Sequence, residues 1–322
     1  MYPSYLESYN KRKLDKAIEE GFLRLKSCSI CPRKCKINRL EIELGFCKTR
    51  LKPKVCSFLQ HHGEEPPISG SRGSGTIFFS YCNMNCAYCQ NYEFSQTGNG
   101  REVGFEELAQ MMLELQKMGS HNINLVTPTH VMPQILKSLK IAVSKGLNLP
   151  IVYNTGGYEL PEMIKLLEGI VDVYLADMRY GTSDMSLKYS NAPDYPKYNQ
   201  DAVKEMHRQV GVAEFDEEGI IKRGLVIRHL VLPNGISGTD KIMEFIAGDI
   251  SVDSYISLMS QYIPYYKASE FKEISRRITI REYEDAKKSM QKCGLYNGWI
   301  QESGGLERFA GVHIKPALKK QQ

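Results

Sequence analysis

The stretch CNMNCAYCQN places Cys82, Cys86 and Cys89 within eight positions, spaced C-x3-C-x2-C. Thiolates are soft ligands that suit zinc and iron–sulfur clusters. Three are one short of a closed tetrahedral zinc site, and the nearest histidines, His61 and His62, stand upstream across a turn-rich segment. An iron–sulfur cluster normally takes one thiolate per iron, so three thiolates on a four-iron cluster leave one iron open to a ligand that does chemistry. The open cluster is the preferred reading over structural zinc.

A second group precedes it. Cys28, Cys31, Cys35 and Cys47 read C-x2-C-x3-C-x11-C, a complete four-thiolate set. Structural zinc and an auxiliary [4Fe–4S] cluster both fit. Zinc favours paired C-x2-C knuckles, of which only the first is present here, and the tight three-cysteine run leans toward a cluster. Cys56 could replace Cys47 as the fourth ligand, but a small core residue is the better reading. Eight of the nine cysteines fall between residues 28 and 89, a clustering that speaks for metal. Cys293 stands alone before Gly294 and reads as structural.

The elements that must hold these residues alternate along the chain. Short β-rich runs occur at GTIFFS (75–80), NINLVT (122–127), PIVYN (150–154), VDVYLA (171–176), GLVIRHLV (224–231) and SYISLM (254–259). Between them lie helical patterns. FEELAQMMLELQKM repeats apolar residues at helical spacing and stops at Gly119, and VMPQILKSLKIAVSKG stops at Gly146. Thr279 and Glu282 form a capping-box pattern for a last helix. Continuous apolar strands separated by helices predict a parallel sheet. The fold class expected is α/β, a partial (β/α)6 TIM-like barrel with a small cysteine-rich N-terminal extension. The rival doubly wound sheet lacks a glycine fingerprint after its first strand. The expected divisions are 1–70 for the extension, 71–305 for the barrel core and 306–322 for a basic tail. In a parallel barrel the loop after the first strand lies on the functional face, and the cysteine loop is that loop. The tyrosine-rich stretch 180–199 reads as a long polar loop, and His130 faces the same side.

With an aromatic residue, Tyr88, just before the third cysteine, the motif resembles the signature of the radical S-adenosylmethionine (SAM) superfamily. Further segments resemble its pyruvate formate-lyase activating enzyme branch, above all the uncharacterised homologues with an N-terminal cysteine motif. The resemblance implies a [4Fe–4S] cluster on Cys82, Cys86 and Cys89 whose open iron chelates the methionine end of SAM. VYNTGGYE resembles the third strand and puts Asn154 and Thr155 at its end. VDVYLADMRYG implies Asp177 and Arg179 as SAM contacts, and VIRHLVLPNG implies Arg228. Arginine suits that task because its planar fork matches a carboxylate. The usual Gly-Gly-Glu after the second strand is replaced by VTPTH, which passes the SAM amino contact to Thr127, Pro128 or Thr129. In QYIPYYKA, Tyr266 stands where the branch has histidine. The implied function is hydrogen abstraction by a 5′-deoxyadenosyl radical, in an activase from a glycine Cα of a partner enzyme. Modification of a peptide or protein side chain, and turnover of a small metabolite, are the alternatives, and a binding or electron-transfer protein that merely carries iron–sulfur clusters is the non-enzyme rival. The implied partners are a protein or peptide substrate and an electron donor such as flavodoxin or ferredoxin.

Composition agrees with a folded protein: 322 residues, 42% hydrophobic and 25% charged. The net charge of +5 is mild and no basic stripe runs along the chain, which argues against nucleic acid. No stretch approaches a membrane span and the N-terminus lacks the apolar core of a signal peptide, so a cytoplasmic setting with reduced thiols is expected.

Overall fold

The computed structural model describes residues 2–41 and 43–300, together with the backbone of the short strand Val312–His313. The remainder of the expected tail, 306–322, lies outside the described residues. The strands in chain order are β1 (Lys54–His61), β2 (Ser74–Phe79), β3 (Arg101–Glu102), β4 (Ile123–Val126), β5 (Ile151–Thr155), β6 (Val173–Asp177), β7 (Glu214–Phe215), β8 (Ile221–Leu230), β9 (Tyr255–Met259), β10 (Gly298–Ile300) and β11 (Val312–His313).

They form one sheet in the order β11-β10-β9-β8-β6-β5-β4-β2-β1-β3, with β7 paired to β8. From β2 to β10 every neighbour along this path is parallel. Strands β1, β3 and β11 add antiparallel edges. No pairing joins β3 to β11, so the barrel is partial, as expected. The six β-rich runs of the sequence are all parallel strands. A seventh, β10, is only three residues long and begins at Gly298, too short to leave a pattern.

Strands β4, β5 and β6 are buried at every position, which is what helices on one face and a filled interior on the other impose. The helix Phe105–Lys117 turns Leu108, Met111, Met112 and Leu115 into the core. Its partner Met132–Ser144 buries Ile135, Leu136 and Leu139. Thr279 and Glu282 close a capping box on the helix Ile280–Lys292.

Two regions differ from expectation. The stretch 180–199 is no solvated loop: it folds into the helix Ser183–Ser190 and the start of the helix Tyr195–Val210. Tyr180, Tyr189 and Tyr195 are each at most 2% exposed. Cys56 is exposed on β1 and fills no core position. That strand pairs antiparallel with β2, from Val55 with Phe79 to His61 with Ser74. The chain thus joins the barrel sheet before residue 70. No helix among the described residues is long and apolar enough to cross a membrane.

Candidate active site

The cysteine loop leaves the carboxyl end of β2 through Tyr81, a non-glycine residue at φ 68°. Gly98 packs so tightly on the Tyr81 ring that a Cβ there would come within 2.3 Å of it. The loop is then fastened from the tyrosine-rich segment. Asn85 and Ala87 donate backbone hydrogen bonds to the carbonyls of Ser190 (3.0 Å) and Tyr189 (2.7 Å). Each sulfur has a polar neighbour. Met84 N–H donates to Cys82 Sγ at 3.3 Å, the Ser190 hydroxyl donates to Cys86 Sγ at 3.0 Å, and Ser95 Oγ lies 3.1 Å from Cys89 Sγ. Burial pushes the Cys82 thiol up to about 12, and Cys86 and Cys89 push it the same way. The three sulfurs therefore lie within Coulombic reach of one another, in a place where free thiolates are unfavourable and a cationic metal core would offset the charge. Among the described residues, no three such side chains converge tightly enough to hold a single metal ion; donor chemistry and mutual proximity carry the fit to a cluster.

Beside the thiols, the strand ends supply a charged network. Arg228 on β8 donates from Nε to Asp177 Oδ1 at 2.7 Å and from Nη2 to Asn154 Oδ1 at 2.7 Å. Arg179 pairs with the other oxygen of Asp177. Its Nε is buried without a partner, and Gly156, whose missing Cβ would sit 3.9 Å from that atom, keeps the space beside it open. Arg179 also opposes the burial that raises the Cys86 thiol, which places its guanidinium beside the cysteine loop. Tyr88 is buried next to Tyr262 at a ring-centroid distance of 5.6 Å, with its phenol within reach of Tyr180 and Arg179. Asn154, Asp177, Arg179 and Arg228 are thus brought together beside Cys86 and Tyr88. An orphaned guanidinium N–H and a fork-shaped cation at the rim of a three-thiol loop fit the carboxylate of SAM chelated to a cluster.

Two members of the network escaped the sequence reading. Glu64 accepts from Asn154 Nδ2 at 3.2 Å and pairs with Arg228 Nη1 at 3.5 Å. Glu65 is its neighbour; burial pushes its carboxyl up and Arg228 opposes the rise. Both come from HHGEEPPISG, which reads as a connection. The segment crosses the amino ends of the strands, where Asn122 holds the Ile68 carbonyl at 2.8 Å, and sends the two carboxylates inward. A Glu-Glu pair beside two prolines was the available signal.

Thr129 and Thr155 are occupied differently from the resemblance. Both hydroxyls donate to Glu159, which is 1% exposed. Burial pushes the Glu159 carboxyl up to about 7. This buried carboxyl clamps the carboxyl ends of β4 and β5 together. Thr127 sits at φ 60°, a genuine outlier for a β-branched residue, and its N–H donates to the Asn154 carbonyl at 2.9 Å. His130 is fully buried, and its Nε2 bonds the Ser80 carbonyl at 2.8 Å. It braces the end of β2, and its Nδ1 is buried without a hydrogen-bond partner. His61 packs edge-on against Phe78. Tyr266 stacks on Tyr92, three residues past Cys89, at 5.1 Å. Size alone does not mark the site: a surface hollow of about 510 Å3 between Tyr9, Phe22 and Lys137 touches none of these residues.

The N-terminal cysteines gather separately. Cys28, Cys31 and Cys47 are buried and Cys35 is partly exposed. Lys34, Lys36 and Lys48, all at positive φ, turn the chain at Cys35 and just past Cys47. Burial raises the Cys31 thiol, and Cys47, Cys28 and Cys35 add to the rise, so the other three lie around Cys31. A Cβ on Gly45 would meet Cys35 Sγ at 3.0 Å. Arg33 joins this group to the catalytic loop. Its Nε donates to the Asn83 carbonyl at 2.9 Å, its guanidinium lies 3.6 Å above the Phe46 ring, and it senses Cys31, Cys82 and Cys35.

A sequence profile of the radical SAM superfamily matches residues 76–215. An uncharacterized protein of Methanocaldococcus jannaschii is 33% identical over 301 residues, covering 91% of this chain and 81% of that protein. The chain belongs to the radical SAM superfamily. Similar solved structures include a radical SAM methyltransferase from Sphaerobacter thermophilus, at 14% identity and a TM-score of 0.48 over 72% of this chain and 67% of that one. TYW1 with a bound lysine–pyruvate adduct is another, at 13% identity and 0.48 over 74% and 79%.

Proposed function

We propose that the chain binds SAM between the cysteine loop and the carboxyl ends of β5, β6 and β8, and uses it to abstract a hydrogen atom from a protein or peptide. The single observation behind the SAM site is the fork of Arg228 across Asp177 and Asn154, beside the unpartnered Nε of Arg179. Cys82, Cys86 and Cys89 would hold the [4Fe–4S] cluster, and the bound pair supplies one-electron cleavage of the sulfonium to a 5′-deoxyadenosyl radical. The residues of this chain do the positioning. Arg179 and Arg228 orient the carboxylate of SAM, and Asp177 holds both arginines in place. The N–H and hydroxyl groups near the sulfurs raise the cluster's readiness to accept an electron. The packed tyrosines 180, 189 and 195 exclude water from one wall.

Resemblance to the activating-enzyme branch points to a glycine Cα–H of a partner enzyme. Flavodoxin or ferredoxin would deliver the electron in a cytoplasmic setting, and Cys28, Cys31, Cys35 and Cys47 would hold a second metal, as zinc or an auxiliary cluster.

The test uses reduced, reconstituted protein with candidate glycyl-radical partners carrying α-deuterated glycine. Deuterium appearing in 5′-deoxyadenosine is the expected result. Deuterium arriving only from labelled small metabolites would replace the protein substrate with a metabolite.

A further inference from the structure

The short run KTRLKPK carries Lys48, Arg50, Lys52 and Lys54 at every second position. Lys48, Arg50 and Lys52 are exposed, whereas Thr49 and Pro53, which alternate with them, are buried. None of the four cations forms an ion pair among the described residues. Lys54 begins β1, and its carbonyl accepts from Ser80 N–H at 2.8 Å, which sets it beside the carboxyl end of β2. On its other side β1 pairs with β3, where Glu102 stands opposite Lys54 and Arg101 opposite Val55. Together these residues border a surface hollow of about 440 Å3. Glu102 is its only carboxylate, and Arg101 is already paired with Glu107, so the hollow keeps a positive excess. Leu44, 51% exposed, adds an apolar contact point.

The hollow ends at the cysteine loop. Tyr81 lines it, Lys54 Nζ lies 5.4 Å from the centre of the Tyr81 ring, and the next residue in the chain is Cys82. Asn154, Asp177, Arg179 and Arg228 take no part in it, so an occupant would leave the SAM site free. Like charges gathered this closely repel one another, and an acidic surface laid over them relieves the repulsion.

We propose that this hollow docks an acidic one-electron carrier protein, which hands its electron past Tyr81 to a cluster on Cys82, Cys86 and Cys89. The proposal rests on reading those three cysteines as cluster ligands. With a flavin carrier, the anionic hydroquinone is oxidised to the neutral semiquinone while the cluster gains one electron, and no proton or group is transferred. A small contact steered by exposed charge suits a partner that must leave after each electron. A polynucleotide would need a longer basic track than one short segment.

Reconstituted full-length protein mixed with a photoreduced acidic flavodoxin tests this, with semiquinone formation followed by absorbance. Calorimetric binding of the oxidised flavodoxin is a second readout that needs no turnover. The patch variant carries Lys48→Glu, Arg50→Glu and Lys52→Glu. A control makes the same charge change at the exposed residues Lys16, Lys145 and Lys292. The patch variant should bind flavodoxin, and accept its electron, at least about tenfold less well, the low end of electrostatic steering. The parent's advantage should shrink between about 0.01 and 0.15 M salt, as screening of exposed charges requires. SAM cleavage driven by dithionite should not change in the patch variant, and the control should stay close to the parent. Equal losses in both variants, or none in either, would overturn the docking site. So would a parent reduced by dithionite but by neither the flavodoxin nor an acidic ferredoxin, or one whose patch binds only a single-stranded oligonucleotide. Failure of dithionite itself to yield 5′-deoxyadenosine would sink the cluster reading instead, and flavodoxin binding would still report on the hollow.

Discussion

The hydroxyl of Ser190 donates to the sulfur of Cys86 at 3.0 Å, although the two residues are 104 positions apart. The contact ties the helix Ser183–Ser190 to the cluster loop and fixes a dipole on a ligand sulfur. Hydrogen bonds to sulfur favour the more reduced, more negative state of a cluster. Ser190→Ala is therefore expected to lower the reduction potential by tens of millivolts, on the scale of a weakened hydrogen bond. Redox titration followed by electron paramagnetic resonance checks this; a potential unchanged or raised would refute it.

Arg228 has the side chain on which three partners converge: Asp177, Asn154 and Glu64. Removing it would leave Glu64 without a cation and Asp177 with Arg179 alone, a loss of about 3–5 kcal/mol of stability that would obscure any effect on binding. Arg228→Lys keeps the charge and loses the fork. It should weaken SAM binding by more than about tenfold, the loss of one charge-assisted hydrogen bond, with only a small change in melting. Equilibrium dialysis with labelled SAM against reconstituted protein measures it.

Glu159 makes a pH-dependent contribution. Burial holds its folded carboxyl at about 7, so the folded state keeps a proton that the unfolded chain releases near the ordinary value of about 4.3. The stability tied to this proton is complete below that ordinary value and is lost as the pH rises to the folded value. The loss amounts to about 4 kcal/mol. Glu159→Gln does not titrate, so relative to the parent it should gain about that much between roughly pH 4 and 8. His130 and His229, held neutral by burial down to about 4, tilt stability the opposite way, but equally in both proteins. Denaturant melts at several pH values provide the difference, and parallel curves would contradict the buried clamp.

Gly157 sits at φ 76°, where a Cβ would lie 2.2 Å from Asn199 Nδ2 and 2.3 Å from the Asp177 carbonyl. Backbone cannot yield as a flexible side chain does. Gly157→Ala should cost about 2–4 kcal/mol through strain and overpacking. Because the clash falls on Asp177, SAM binding should weaken along with stability. A variant of parental melting temperature would show that the β6 end is freer than this packing implies.

Much of this was legible in the chain. The six apolar runs became parallel strands because burial on both faces leaves a continuous pattern. The three cysteines stand at the expected strand end, and Asn154, Asp177, Arg179 and Arg228 meet beside them. What escaped has identifiable causes. Asn191, Pro193 and Pro196 interrupt the helical pattern of 183–210, and tyrosines that bury their rings while bonding their hydroxyls look polar in sequence. Ser190 and Ser95 become sulfur partners only through tertiary contact. Glu64 and Glu65 enter the barrel from a segment whose prolines and glycines announce only a turn. Thr129 and Thr155 lie where the resemblance put them, yet a carboxylate in the same run, Glu159, holds their hydroxyls.

The central claim is that the Cys82, Cys86 and Cys89 loop supports cleavage of SAM. The direct measurement is 5′-deoxyadenosine and methionine formation by anaerobically reconstituted, dithionite-reduced protein, beside a Cys82→Ala, Cys86→Ala, Cys89→Ala variant with its N-terminal cysteines intact. Cleavage by the parent and none by the variant is the expected result. A fully loaded parent that releases no 5′-deoxyadenosine, with or without candidate substrates, would contradict it and leave a protein that carries iron and sulfur without radical chemistry.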